Sequence, residues 1–152
     1  MNTKKTVNVL GFTGSGNEFV VKSHDFSVNI SNRFEQSENE AASPITYLLS
    51  GIAGSINAVG KLVAKDLAIE MKSIQIEISG EIESKKYSGV STRSRAGLRH
   101  IDVVIKPTSN ASLGDLKIWM DEVKERCPVY DNLMNNTPVK ITLVKDYTVN
   151  VA

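Results

Sequence analysis

Hydrophobic positions along the chain switch between two periods, and the switches mark its elements. Val7 and Val9, then Phe19 and Val21, then Phe26, Val28 and Ile30 alternate with other residues at period two. That is the pattern of strands with one covered face. The turn-rich stretch GFTGSGNE separates the first two runs. The first thirty residues therefore predict a three-stranded antiparallel meander with a glycine-rich hairpin at residues 14–17. Residues 31–42, SNRFEQSENEAA, have no period and read as a loop.

The period then changes to that of a helix. Ser43-Pro44 is a strong start signal, with serine as N-cap and proline at the first helical position. Ile45, Leu48, Leu49, Ile52, Ile56, Val59 and Val63 follow at helical spacing, and Tyr47, Ala53, Leu62 and Leu67 widen the stripe. A helix this apolar is covered on more than one side. The rest of its surface is small: Ser50, Gly51, Gly54, Ser55, Ala58 and Gly60. Each glycine inside a helix costs about 1 kcal/mol relative to alanine, so three in ten residues imply close approach of another backbone.

Beyond this helix the period of two returns. Ile74, Ile76 and Ile78 form one run, Ile101, Val103 and Ile105 a second, and Val139, Ile141 and Leu143 a third. Between the last two lies a helix opened by Ser112, with Leu113, Leu116, Met120, Val123 and Cys127 on one stripe. Pro128 restarts the chain as a short helix, VYDNLMNN, with Cys127 as its N-cap. Strands at both ends around a long central helix make an α+β fold with antiparallel sheets. No linker or repeat interrupts the pattern, so residues 1–152 read as a single domain.

Composition changes this picture only by exclusion. A content of 41% hydrophobic and 23% charged residues is that of an ordinary globular protein. The net charge of +1 draws the chain neither to nucleic acid nor to a membrane surface. The N-terminus lacks the apolar stretch of a signal peptide, and no window is long enough to span a bilayer. The expectation is a cytoplasmic protein without membrane or nucleic-acid partners. The basic stretch KKYSGVSTRSRAGLRH, residues 85–100, offers a single aromatic and reads as a solvated loop. His24 and His100 stand far apart with no ligand spacing, so neither a metal nor another cofactor is expected.

Cys127 is the only cysteine, which excludes an internal disulfide or a CxxC motif. A thiol at a helix N-terminus is favoured as thiolate; Arg126 would help and Asp131 would oppose. The alternative is a buried cysteine acting as a small hydrophobe.

Two segments, SPITYLLSGIAGSINAVGKLVAKDLAIEM and ERCPVYDNLMNNTPVKITL, together resemble the OsmC/Ohr family of osmotically induced and organic hydroperoxide resistance proteins. MKSIQIEISGEIE and GLRHIDVVIKP resemble its middle strands, so the likeness spans nearly the whole chain. It implies an OsmC-like fold in an intertwined homodimer, with two long helices at the centre and sheets wrapped around them. It also implies a site for oxidative stress defence at the dimer interface. Peroxidase members of the family use two cysteines there, one oxidised by the hydroperoxide and one that resolves the product as a disulfide. Some also use an arginine in the first hairpin and a glutamate early in the central helix.

Carried onto this chain, the resemblance puts the resolving position at Cys127 and the peroxidatic position at Ser55. Serine cannot form a sulfenic acid. The glutamate position falls on Ile45, and no arginine stands in GSGNE. Glu38, Glu40 or Arg33 in the following loop are the substitutes on offer. Two functions follow. The first is a non-peroxidatic protein that binds a small apolar ligand in an interface pocket formed by Ile45, Leu48, Ile52, Ser55 and Cys127. The second is a thiol-dependent organic hydroperoxide reductase running on Cys127 alone, recycled through a mixed disulfide.

Overall fold

The structure is a computed structural model that describes residues 3–14, 18–33 and 41–145. Strands β1 (Leu10–Thr13), β2 (Phe19–Ser23) and β3 (Phe26–Ile30) form the expected antiparallel meander. Its first strand begins at Leu10, after Val7 and Val9 rather than on them. The glycine-rich hairpin falls largely on residues outside the described ranges. β2 and β3 are joined by the tight turn His24-Asp25, where His24 takes a φ of 41°.

Helix α1 runs Pro44–Asp66 and opens as its sequence dictates. The Ser43 hydroxyl accepts a hydrogen bond from the Thr46 amide at 3.2 Å, satisfying one of the donors a helix start leaves open. The C-terminus closes with the Ile69 amide donating to the Ala64 carbonyl and the Ala68 amide to that of Lys65. This is a Schellman closure, with Ala68 in the left-handed region at φ 53° where glycine is usual.

Strand β4 (Met71–Glu81) pairs antiparallel with β5 (His100–Ser109), bringing Ile76 opposite Ile105 and Ile78 opposite Val103. The segment between them carries a short helix, α2 (Ser84–Tyr87), before it runs on as loop. Helix α3 (Leu113–Arg126) and helix α4 (Pro128–Met134) follow, meeting at Cys127. The buried core is Ile52, Ile56, Val63 and Ala64 of α1 with Trp119 and Val123 of α3 and Cys127. Apolar residues of β4, β5 and α4 pack around it, and among the described residues none of the meander does.

Four expectations need correction. Leu113 is 71% exposed, and the buried residues of its helix are Trp119 and Val123, both at 1%, of which Trp119 was not on the expected stripe. The core stripe is thus Trp119, Val123 and Cys127. Gly60 does admit a close neighbour, but from within the chain. A Cβ there would stand 3.0 Å from Trp119 Cζ2, and the Trp119 indole N–H donates to the Gly60 carbonyl at 2.8 Å. At Gly51 and Gly54 an added Cβ meets nothing within 4 Å.

Val139, Ile141 and Leu143 form no strand, and all three are more than 80% exposed. A period of two marks a strand only where a sheet edge is within reach. Finally, α1 does have the length and composition to cross a membrane. In this fold it is instead the central helix, packed on α3, α4 and β4.

Candidate functional site

Cys127 ends α3 and begins α4, with an extended backbone (φ −81°, ψ 110°) that breaks one helix and caps the next. Its carbonyl accepts the Asp131 amide at 2.9 Å, the first turn of α4. Proline at the following position cannot donate to α3, which forces the break at that point. The side chain points inward and is 1% exposed. Its one polar partner among the described residues is the Ser55 hydroxyl, with Oγ 3.1 Å from Sγ. Ser55 lies on the half-buried flank of α1, between the core positions Ile52 and Ile56. Arg126 does not face the thiol. Its guanidinium is paired with Asp66 at 2.7 Å, tying the end of α3 to the end of α1.

Beside the cysteine a cavity of about 610 Å³ opens between α1, β5, α3 and α4. Ile45, Leu48, Ile52 and Cys127 line it, and Ser55 does not. Cys127 thus belongs to the cavity wall, while its hydroxyl partner does not. Further apolar walls come from Ile56, Ile101, Ile105, Met120, Val123 and Tyr130.

One wall carries no periodic signal at all. Arg95, Gly97, Leu98 and Arg99 approach from the loop before β5, His100 from the first position of that strand, and Lys124 from α3. The loop is fastened by Arg99, whose guanidinium donates to Glu83 at 2.6 Å and to the Ser94 hydroxyl at 3.1 Å. The Glu83 carboxyl is held below the usual carboxylate range by a hydrogen bond from Ser94 and by Arg99. The Arg99 amide also donates to the Glu81 carbonyl at 2.8 Å, so the loop joins the sheet just before β5 begins. Of the substitutes on offer for a missing glutamate or arginine, Glu38 and Glu40 lie outside the described residues. Arg33 does not line the cavity.

An α+β chain with a long capped central helix and a Cys-Pro junction beside an apolar cavity defines a class before any comparison is made. OsmC-like protein is the family that matches, over residues 37–142, and the chain belongs to it. The crystal structure of an OsmC-like protein from Mycoplasma pneumoniae is similar with a TM-score of 0.77 at 22% identity. That match covers 88% of this chain and 91% of the other. An organic hydroperoxide resistance protein from Elizabethkingia anophelis has a TM-score of 0.64 at 14% identity, covering 90% and 93%. The organic hydroperoxide resistance protein OhrB of Bacillus subtilis has a TM-score of 0.57 at 16% identity, covering 87% and 93%. Comparison with curated proteins gives no significant match.

Proposed function

We propose that this OsmC-like protein is a non-peroxidatic member of its family, a homodimer that binds a small apolar ligand in the cavity beside Cys127. The observation that carries the reading is the 3.1 Å approach of Ser55 Oγ to Cys127 Sγ. A hydroxyl stands where a two-cysteine peroxidase would need its second sulfur. In such an enzyme one thiolate takes an oxygen from the hydroperoxide, releasing the alcohol and becoming a sulfenic acid. The other sulfur then displaces water to form the disulfide. Ser55 can perform neither half. The cavity, by contrast, needs only its apolar walls.

Dimerisation is supported by what a single chain leaves uncovered. The α1 face with Gly51 and Gly54 is open, and the meander contributes nothing to the core. The chain from Val139 to Leu143 alternates like a strand without an edge to pair with.

The test is turnover. Purified protein mixed with cumene hydroperoxide and a dithiol should consume peroxide no faster than the dithiol alone. A stoichiometric or faster burst that disappears in Cys127→Ser would overturn the binding reading. It would establish the second one, a hydroperoxide reductase using Cys127 alone, with Ser55 donating its hydroxyl proton toward the thiolate.

A further inference from the structure

The lining of the cavity has a chemical asymmetry. Its body is aliphatic and aromatic, yet its charged members are all of one sign: Arg95, Arg99 and Lys124. Among the described residues no carboxylate lines it. Three acidic residues beside the loop are engaged elsewhere. Glu83 meets Arg99, while Glu81 and Asp102 lie 3.9 and 3.4 Å from the two ring nitrogens of His100. Arg99 is spent on Glu83 and Ser94, and its role is to hold the loop. Arg95 and Lys124 have no ion-pair partner among the described residues, and both are exposed at the cavity wall.

From this we infer that the ligand is an amphipathic monoanion, an alkyl chain ending in a carboxylate. Arg95 and Lys124 take the head, and the aliphatic wall takes the tail. The inference rests on the binding reading above and adds the chemistry of the ligand to it. A neutral apolar molecule would gain nothing from these two cations, and an alkylammonium would be repelled. The tail has room: from His100 to Ile105 the β5 wall runs roughly 17 Å at about 3.4 Å per residue. Ile45, Leu48 and Ile52 of α1 face the same space, so a chain lying along β5 is covered from a second side. Arginine suits the head because its planar fork can take both carboxylate oxygens, while Lys124 adds a point charge.

The experiment is calorimetric titration of the full chain with decanoate, decanol and decylamine at pH 7, each below its aggregation concentration. Decanoate should bind roughly 10- to 100-fold more tightly than decanol, the range expected for hydrogen bonds to a charged group. Decylamine should bind most weakly. The Arg95→Gln, Lys124→Gln double variant should abolish the preference, so that decanoate binds it no more tightly than decanol does. Added salt should weaken decanoate binding to the wild-type protein alone. If decanoate and decanol bind equally, or the double variant keeps the preference, the anionic head is refuted while the apolar binding site stands. If none of the three binds, the binding reading and this inference fall together.

Discussion

At the scale of single residues, the pair Ser55 and Cys127 carries the functional argument, and one substitution tests it. Oγ and Sγ are 3.1 Å apart across 72 residues of chain. A disulfide needs its sulfurs at about 2.05 Å, with Cα atoms roughly 4.4–6.8 Å apart. Small rotations of two side chains close a gap of about 1 Å. Ser55→Cys treated with one equivalent of hydroperoxide should therefore link residues 55 and 127, consuming both thiols and releasing alcohol and water. Thiol titration and peptide mapping would read this directly. Catalysis should stay slow, because Ile45 offers no carboxylate to orient or activate the thiolate. If the two sulfurs never link under mild oxidation, Ser55 does not hold the position assigned to it, and the reading of a lost two-cysteine site fails.

At the scale of elements, what the sequence disclosed follows a physical divide. The start of α1 was legible because Ser43 and Pro44 act locally, and the Thr46 amide bond bears that out. Its end was not, since nothing in the letters shows Ala68 in a left-handed conformation. That conformation costs an L-residue about 1–2 kcal/mol, which glycine escapes, although glycine gives back part of the gain in unfolded-state entropy. Ala68→Gly should thus stabilise the protein by about 0.5–1 kcal/mol, seen as a higher denaturant midpoint at unchanged slope. An unchanged or lowered midpoint would mean that the Schellman closure carries no strain.

The sites follow the same divide. The places of Ile45, Leu48, Ile52 and Cys127 on their helices follow local periodicity, whereas a pocket among them was implied only by the family resemblance. Trp119 was missed because the stripe was phased from Leu113, whereas burial is set by the neighbour in space, Gly60. The loop wall from Arg95 to Arg99 has no period. It is placed by the Glu83–Arg99 pair, a contact 16 residues long that no local pattern announces.

At the scale of the whole molecule, surface area is what motivates a second copy of the chain. A compact monomer of this mass, 16.6 kDa, exposes roughly 7,600 Å² by the scaling for folded proteins. This chain exposes 12353 Å². The difference exceeds what the residues outside the described ranges could add if fully exposed. Much of it is apolar: Leu48 and Leu62 on α1, Phe12 and Phe26 on the meander, Ile141 and Leu143 near the C-terminus. A monomer rarely tolerates so much, and a stable homodimer of the obligate kind covers about 2,000 Å² or more.

The α1 face is the natural centre of a two-fold contact, because at Gly51 and Gly54 a second helix can approach to backbone distance. Light scattering should give twice the chain mass at micromolar concentration. Gly54→Leu, harmless within one chain where an added Cβ meets nothing, should overpack that contact by about 1–3 kcal/mol. The dimer should then dissociate at roughly 10- to 100-fold higher concentration. A wild-type chain that remains folded and monomeric at micromolar concentration would refute the dimer, and a Gly54→Leu dimer of undiminished affinity would move the interface off this face of α1.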